Sequence, residues 1–156
     1  MITKAKRVRI SAKALVIRRG RILLMKAMDQ SGEYYLLPGG GQKNGESLAK
    51  TLKRECLEET GVEVIPGELR YVRDYIAANH EFAASDKEFH QVELMFVCRY
   101  RRLRKNARRE LDVRQVGTEW LPLTALPKAR LYPSILKKLI SRTGLLKGPI
   151  YLGDVN

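Results

Sequence analysis

Three glutamates within five residues are the chemistry most visible in this chain. The run from Gly40 to Val62, GGQKNGESLAKTLKRECLEETGV, spaces Gly40, Glu46, Arg54, Glu55, Glu58, Glu59 and Gly61 as a glycine-rich loop feeding a carboxylate-bearing helix. On a helix Glu55, Glu58 and Glu59 are related by i, i+3 and i+4, so their carboxylates crowd onto one arc of roughly 100°. Anions held that close repel one another and call for a cation. Oxygen-only ligands select a hard ion, so Mg²⁺ is expected, with Mn²⁺ as substitute and Ca²⁺ less apt for a rigid helical site facing a phosphate. A solvated, salt-bridged helix face is the ordinary meaning of such charges. It would tolerate any order of charges, whereas here the cluster stands between fixed glycines.

The elements that must position this cluster follow from its flanks. Glu46 and Ser47 stand where a first turn would begin, strong helix formers follow, and Gly61 stands where a left-handed C-cap is wanted, predicting a helix from about Glu46 to Thr60. Leu48, Ala49, Leu52 and Cys56 mark an apolar stripe that turns this helix towards a core and leaves the glutamates at the edge of the contact. Ahead of it, Leu37-Pro38-Gly39-Gly40-Gly41 lets the backbone turn tightly and approach another group that a side chain would obstruct.

The segment is similar to the signature of the Nudix (MutT-like) hydrolase family, G-x5-E-x7-R-E-U-x-E-E-x-G-U, with U a bulky apolar residue. Every position matches, with Cys56 and Val62 in the U places. The resemblance implies an α/β chain with the Nudix α/β/α sandwich around a mixed sheet, and hydrolysis of the diphosphate of a nucleoside diphosphate linked to another group X. It implies Glu55, Glu58, Glu59 and the Gly40 carbonyl as metal ligands, Glu55 or Glu58 as base, and Arg54 as the residue that holds a catalytic glutamate through a charge-assisted hydrogen bond. Gly39, Gly40, Gly41 and Glu46 are expected against substrate. Tyr35 departs from the family, where Trp is common at that place.

A D-x-x-Q-x-G-x-x-W-L-P-L pattern from Asp112 to Leu123 resembles the region near the last strand of some Nudix relatives, where a loop carboxylate or amide completes the site. Glu110, Asp112, Gln115 and Glu119 are the candidates, and spacing does not choose between them; Gln115 is carried forward as a substrate contact.

With 156 residues, 44% of them apolar and 30% charged, the chain has the size and composition of one globular domain, expected over 1–156. No apolar run approaches the roughly 20 residues of a membrane span, and the basic Met1–Arg7 is followed by no hydrophobic signal core, so a cytoplasmic enzyme is expected. Cys56 and Cys98 form no disulfide framework or metal-ligand spacing and read as small core residues. A net charge of +13 attracts polyanions, so RNA is a second candidate partner beside a small nucleotide, and a 5′-end RNA pyrophosphohydrolase is the rival reading within enzymes. A rival of another class is a Nudix-like regulator that binds a nucleotide without turnover; the intact glutamates argue against it. A homodimer is common in the family.

The other elements read as follows. A hairpin is expected over 8–17 and 21–27, a loop from Asp29 to Glu33 and a short strand from Tyr34 to Leu37. After the helix, Pro66-Gly67 breaks the run from Val62 to Ala77 into a strand, a kink or bulge, and a second strand. Asn79 to Glu88 reads as a loop flanked by His80 and His90, which are expected to be structural. Gln91 to Tyr100 is apolar on both faces and therefore central. Arg99, Arg101, Arg102, Arg104, Lys105, Arg108 and Arg109 suit an exposed hairpin or a phosphate-facing lip, with a solvated loop the favoured reading. Pro133 to Ser141 reads as a helix, and Gly144 to Asn156 as an irregular tail.

Overall fold

Both faces of the Gln91–Tyr100 run are apolar because that strand lies in the middle of a sheet with packing on either side. The computed structural model describes residues 7–81, 83–107 and 110–156, so Arg108 and Arg109 and the first six residues of the basic Met1–Arg7 run lie outside the described residues. Along the chain, β1 (Arg9–Leu15), β2 (Ile17–Arg18), β3 (Arg21–Asp29), β4 (Gly32–Leu36) and β5 (Gly39–Gly41) precede α1 (Leu48–Thr60). Then follow β6 (Val62–Ile76), α2 (Ala83–Asp86), β7 (His90–Leu103), β8 (Gln115–Pro122), β9 (Leu131–Tyr132), α3 (Leu136–Leu139) and β10 (Tyr151–Asp154).

These strands make two mixed sheets. The first has the order β10-β6-β7-β1-β5, with β7 parallel to β1 and antiparallel to β6. In the second, β3 pairs antiparallel with β2, β4 and β8, and β9 runs parallel to β4. Between the sheets Leu15, Tyr71 and Met95 of the first meet Ile22, Leu24 and Leu121 of the second. On the other face of the first sheet, Leu52 and Cys56 of α1 are fully buried against Ala12, Ala14, Val64 and Cys98. Each leucine so buried contributes about 1.5–3 kcal/mol.

The helix is capped as its sequence suggests. Ser47 is its N-cap and accepts from the Lys50 N–H at 3.3 Å; Gly61 ends it at φ 71° and donates to the Leu57 carbonyl at 2.9 Å. Glu46 therefore lies just outside the first turn. Ala49 is exposed, leaving Leu48, Leu52 and Cys56 as the packing stripe.

Several expectations change. The strands over 8–17 and 21–27 are not one hairpin: β1 pairs with β5 and β7, and only Ile17 and Arg18, beyond the buried Val16, fold back on β3. The chain changes sheets at Val16. The loop from Asp29 to Glu33 is a two-residue turn, in which the Asp29 carboxylate accepts from the Ser31 N–H at 2.8 Å. Within the expected loop Asn79–Glu88, Ala83–Asp86 makes one helical turn. The helix expected over 133–141 is also one turn, because the backbone becomes extended at Ile140, which bridges Leu146. The bulge near Pro66 is present, since the β6–β7 register shifts between Pro66 and Leu69.

Candidate active site

The loop that precedes α1 is built around two glycines whose missing side chains are needed. Gly39 has φ 137°, and a Cβ there would lie 2.1 Å from the Ala12 carbonyl oxygen of β1. A Cβ on Gly40 would lie 2.6 Å from the Glu55 carboxyl carbon. Gly39 and Gly40 can therefore pair with β1 and still lie directly under the helix carboxylates.

Arg54 gathers the acids around it. Its Nε and Nη2 donate to the two Glu46 carboxylate oxygens at 2.6 and 2.9 Å, its Nη1 donates to Glu55 at 2.7 Å and to Glu58 at 3.3 Å, and Nη2 also reaches the Gly41 carbonyl at 3.2 Å. A planar guanidinium can serve several carboxylates in fixed directions, which an ammonium cannot. The hydrogen bond from Arg54 is the main reason the Glu46 carboxyl is held down at about 2, with the Lys43 N–H and the Thr51 hydroxyl adding to it. Glu46 and Gly41 thus stand behind Arg54, gripping it.

Glu59 is different: only 5% exposed, it accepts from the Gly39 N–H at 2.9 Å and from the Gln115 side-chain amide at 3.1 Å. Burial pushes its carboxyl above the usual range, opposed chiefly by the positive charge of Lys13. Lys13 Nζ in turn donates to the Gly39 carbonyl at 3.0 Å.

These groups share one cleft of about 520 Å³. Gly39, Gly40, Arg54, Glu55, Glu58, Glu59 and Gln115 all line it, so most of the residues singled out by sequence meet here. Of the four loop candidates, Glu110 and Asp112 line it beside Gln115, whereas Glu119 is turned away, accepting from the Tyr35 hydroxyl at 2.9 Å and pairing with Lys26 at 3.2 Å. Arg9, Lys13 and Lys43, which sequence reasoning did not single out, line the same cleft. The one available signal was Lys13, a lone cation inside the apolar run SAKALVI. Ser11 also lines the cleft, and its buried hydroxyl has no hydrogen-bond partner among the described residues.

The donors on the acidic wall are oxygen atoms throughout, which suits a hard divalent ion. Among the described residues no three acidic, histidine or cysteine side chains converge as placed on one metal position. Glu55 and Glu58 bond to Arg54, while Glu59 bonds to Gly39 and Gln115.

Neither histidine lines the cleft: His80 pairs with Asp154 at 2.6 Å and His90 with Asp74 at 3.1 Å. Arg101, Arg102 and Arg104 of the basic stretch reach Glu63 at 3.7, 2.7 and 3.0 Å on an exposed surface. Both cysteines are buried and free, and burial raises both thiols, Cys98 to about 11. Among the described residues no helix is long and apolar enough to cross a membrane.

Comparison with known proteins bears on the family and the fold. The model of the NUDIX domain family matches residues 7–142. A MutT NUDIX hydrolase from Burkholderia pseudomallei superimposes with a TM-score of 0.63 at 25% identity, covering 84% of this chain and 95% of its own. A NUDIX hydrolase from Nitrosomonas europaea gives a TM-score of 0.66 at 16% identity over 97% of this chain and 82% of its own. An ADP-ribose pyrophosphatase from Streptococcus suis gives 0.53 at 17% identity over 81% of each. A search of curated protein sequences finds no match.

Proposed function

Because the chain belongs to the Nudix family, we propose that it hydrolyses, with Mg²⁺, the diphosphate bond of a nucleoside diphosphate linked to a second group X. The observation that carries this reading is the mixed charge of the cleft, lined by Glu55, Glu58 and Glu59 together with Arg9, Lys13 and Lys43. A diphosphate needs cations on its oxygens and an activated water at one phosphorus, and such a cleft provides places for both. Structural neighbours described as an ADP-ribose pyrophosphatase and a UDP-X diphosphatase act on substrates of this kind.

Glu55, Glu58, Glu59 and the Gly40 carbonyl would hold the ion. When bound, a divalent cation, Mg²⁺ or in its place Mn²⁺, supplies neutralisation of the diphosphate charge and a more acidic water. Arg54 keeps Glu55 and Glu58 aimed at the cleft. One of these two accepts the proton of the attacking water. The oxygen of that water bonds to phosphorus in line as the bridging P–O bond breaks, leaving a nucleoside monophosphate and phosphorylated X. Arg9, Lys13, Lys43 and the backbone of Gly39 and Gly40 orient the phosphates.

A panel of nucleotide sugars, ADP-ribose, dinucleoside polyphosphates, nucleoside triphosphates and 5′-triphosphate RNA, incubated with Mg²⁺ or Mn²⁺ and resolved for phosphate, diphosphate and monophosphate, tests the reading. It predicts monophosphate release from at least one diphosphate-linked substrate. Turnover of RNA alone replaces it with the 5′-end RNA reading, and binding with no turnover of any compound replaces it with a regulator.

A further inference from the structure

Arg9, Ser11 and Lys13 occupy alternate positions of β1 and all line the cleft, while Ala12 and Ala14 between and beyond them pack with α1. We propose that these three side chains form an oxyanion seat that needs no metal ion, and that the buried Ser11 hydroxyl donates directly to a phosphate oxygen of the substrate. The inference rests on the diphosphate reading above and deepens it with a contact residue and a binding step independent of the divalent ion.

Ser11 is the observation that carries it. The residue is fully buried, in register with Gly41 of β5 on one side and Glu93 of β7 on the other. A hydroxyl has one proton to donate, and burying it unused costs stability. Among the described residues Ser11 Oγ has no hydrogen-bond partner. The carboxylates of the region are already engaged. Glu93 accepts from Arg73 at 2.6 Å and from the Gln91 amide at 2.8 Å, and Glu59 accepts from the Gly39 N–H and the Gln115 amide. The O–H of Ser11 is therefore unspent within the fold and open to a group that enters the cleft.

The strand paired with β1 places the two cations beside it. A Cβ on Gly41 would stand 2.7 Å from Nε and 2.8 Å from Nη2 of Arg9. Only bare backbone at Gly41 lets that guanidinium lean along β1 towards the residue in register with Ser11. Lys13 Nζ is held on the Gly39 carbonyl at 3.0 Å, which uses one of its three N–H donors. A guanidinium, a hydroxyl and an ammonium in a row supply donors and positive charge, the set that a phosphate oxyanion takes in charge-assisted hydrogen bonds.

The test is calorimetric titration of inorganic diphosphate into the full chain with a chelator present, for wild type, Ser11→Ala and Gly41→Ala, with melting temperatures of all three. Wild type is expected to bind without divalent metal. Ser11→Ala should lose about tenfold in affinity, the worth of one hydrogen bond to a charged group. Its melting temperature should be unchanged or higher, because it removes a buried hydroxyl that the fold leaves unused. Gly41→Ala displaces only the far end of the flexible Arg9 side chain, so it should fold and also bind about tenfold more weakly. No binding by metal-free wild type, equal affinity in either variant, or a lower melting temperature for Ser11→Ala overturns the inference. Since no turnover is read, hydrolysis without metal-free diphosphate binding sinks the seat alone, and such binding without hydrolysis of any compound sinks the diphosphate reading alone.

Discussion

Gly40 lies directly beneath Glu55: a Cβ on the glycine would stand 2.6 Å from the carboxyl carbon and 2.7 and 2.8 Å from its two oxygens. The conflict cannot be relieved cheaply, because Arg54 Nη1 holds the same carboxylate at 2.7 Å. Gly40→Ala must therefore displace Glu55 or tear it from Arg54. A misplacement of about 1 Å at a reacting group costs about hundredfold, so kcat is expected to fall by that order while circular dichroism shows the fold retained. Turnover near wild type would show that the position of Glu55 does not matter.

Glu58→Gln and Glu59→Gln separate chemistry from packing. Both remove a charge from the acidic wall and should lower kcat at least about hundredfold, the scale of lost acid-base or metal-binding groups. Glu58 is partly exposed and its amide oxygen can still accept from Arg54, so this change should leave stability nearly unchanged. Glu59 is buried with a donor at each oxygen, the Gly39 N–H and the Gln115 amide, so an amide there sets one donor against another. Glu59→Gln is expected to cost about 1–3 kcal/mol of unfolding free energy. Urea titration of the two variants checks the contrast, and equal midpoints would refute it.

Acid should loosen the Arg54 cluster in a defined window. The Glu46 carboxyl, held at about 2 in the fold against 4.5 for a free side chain, contributes stability that is complete above about 4.5 and is lost as pH falls towards 2. Melting temperatures of wild type should fall across that window. Those of Glu46→Gln should start lower and fall less steeply; parallel curves would remove Glu46 from the account.

Lys13→Met tests the cations of the cleft. Lys13 Nζ bonds to the Gly39 carbonyl and faces the same cleft as Glu59. Its loss should raise KM for a diphosphate substrate by about tenfold, the value of one charge-assisted contact. It should also lift the Glu59 carboxyl further, since Lys13 is the chief opposition to burial there. An unchanged KM would place the diphosphate elsewhere.

The helix and its acids were legible in sequence because their causes are local: the Ser47 cap, the Gly61 turn and the i, i+3, i+4 spacing all act within one element. The exchange of sheets at Val16 was not, since period-2 alternation reports that a segment is a strand and not which neighbour it pairs with. The roles of Lys13 and Gln115 depend on partners 26 and 56 residues away, the Gly39 carbonyl and the Glu59 carboxylate. Spacing left Gln115 level with Glu110, Asp112 and Glu119. Only the fold shows that Glu119 belongs to Lys26 and Tyr35.

Titration with Mn²⁺, followed by loss of its free paramagnetic signal, measures most directly whether the acidic wall exists to hold a cation against a diphosphate. Wild type is expected to bind the ion, more tightly when a non-hydrolysable nucleoside diphosphate analogue is present, and the Glu55→Gln/Glu58→Gln double variant is expected to lose at least about tenfold in affinity. Equal binding by wild type and the double variant, with or without the analogue, would contradict the account.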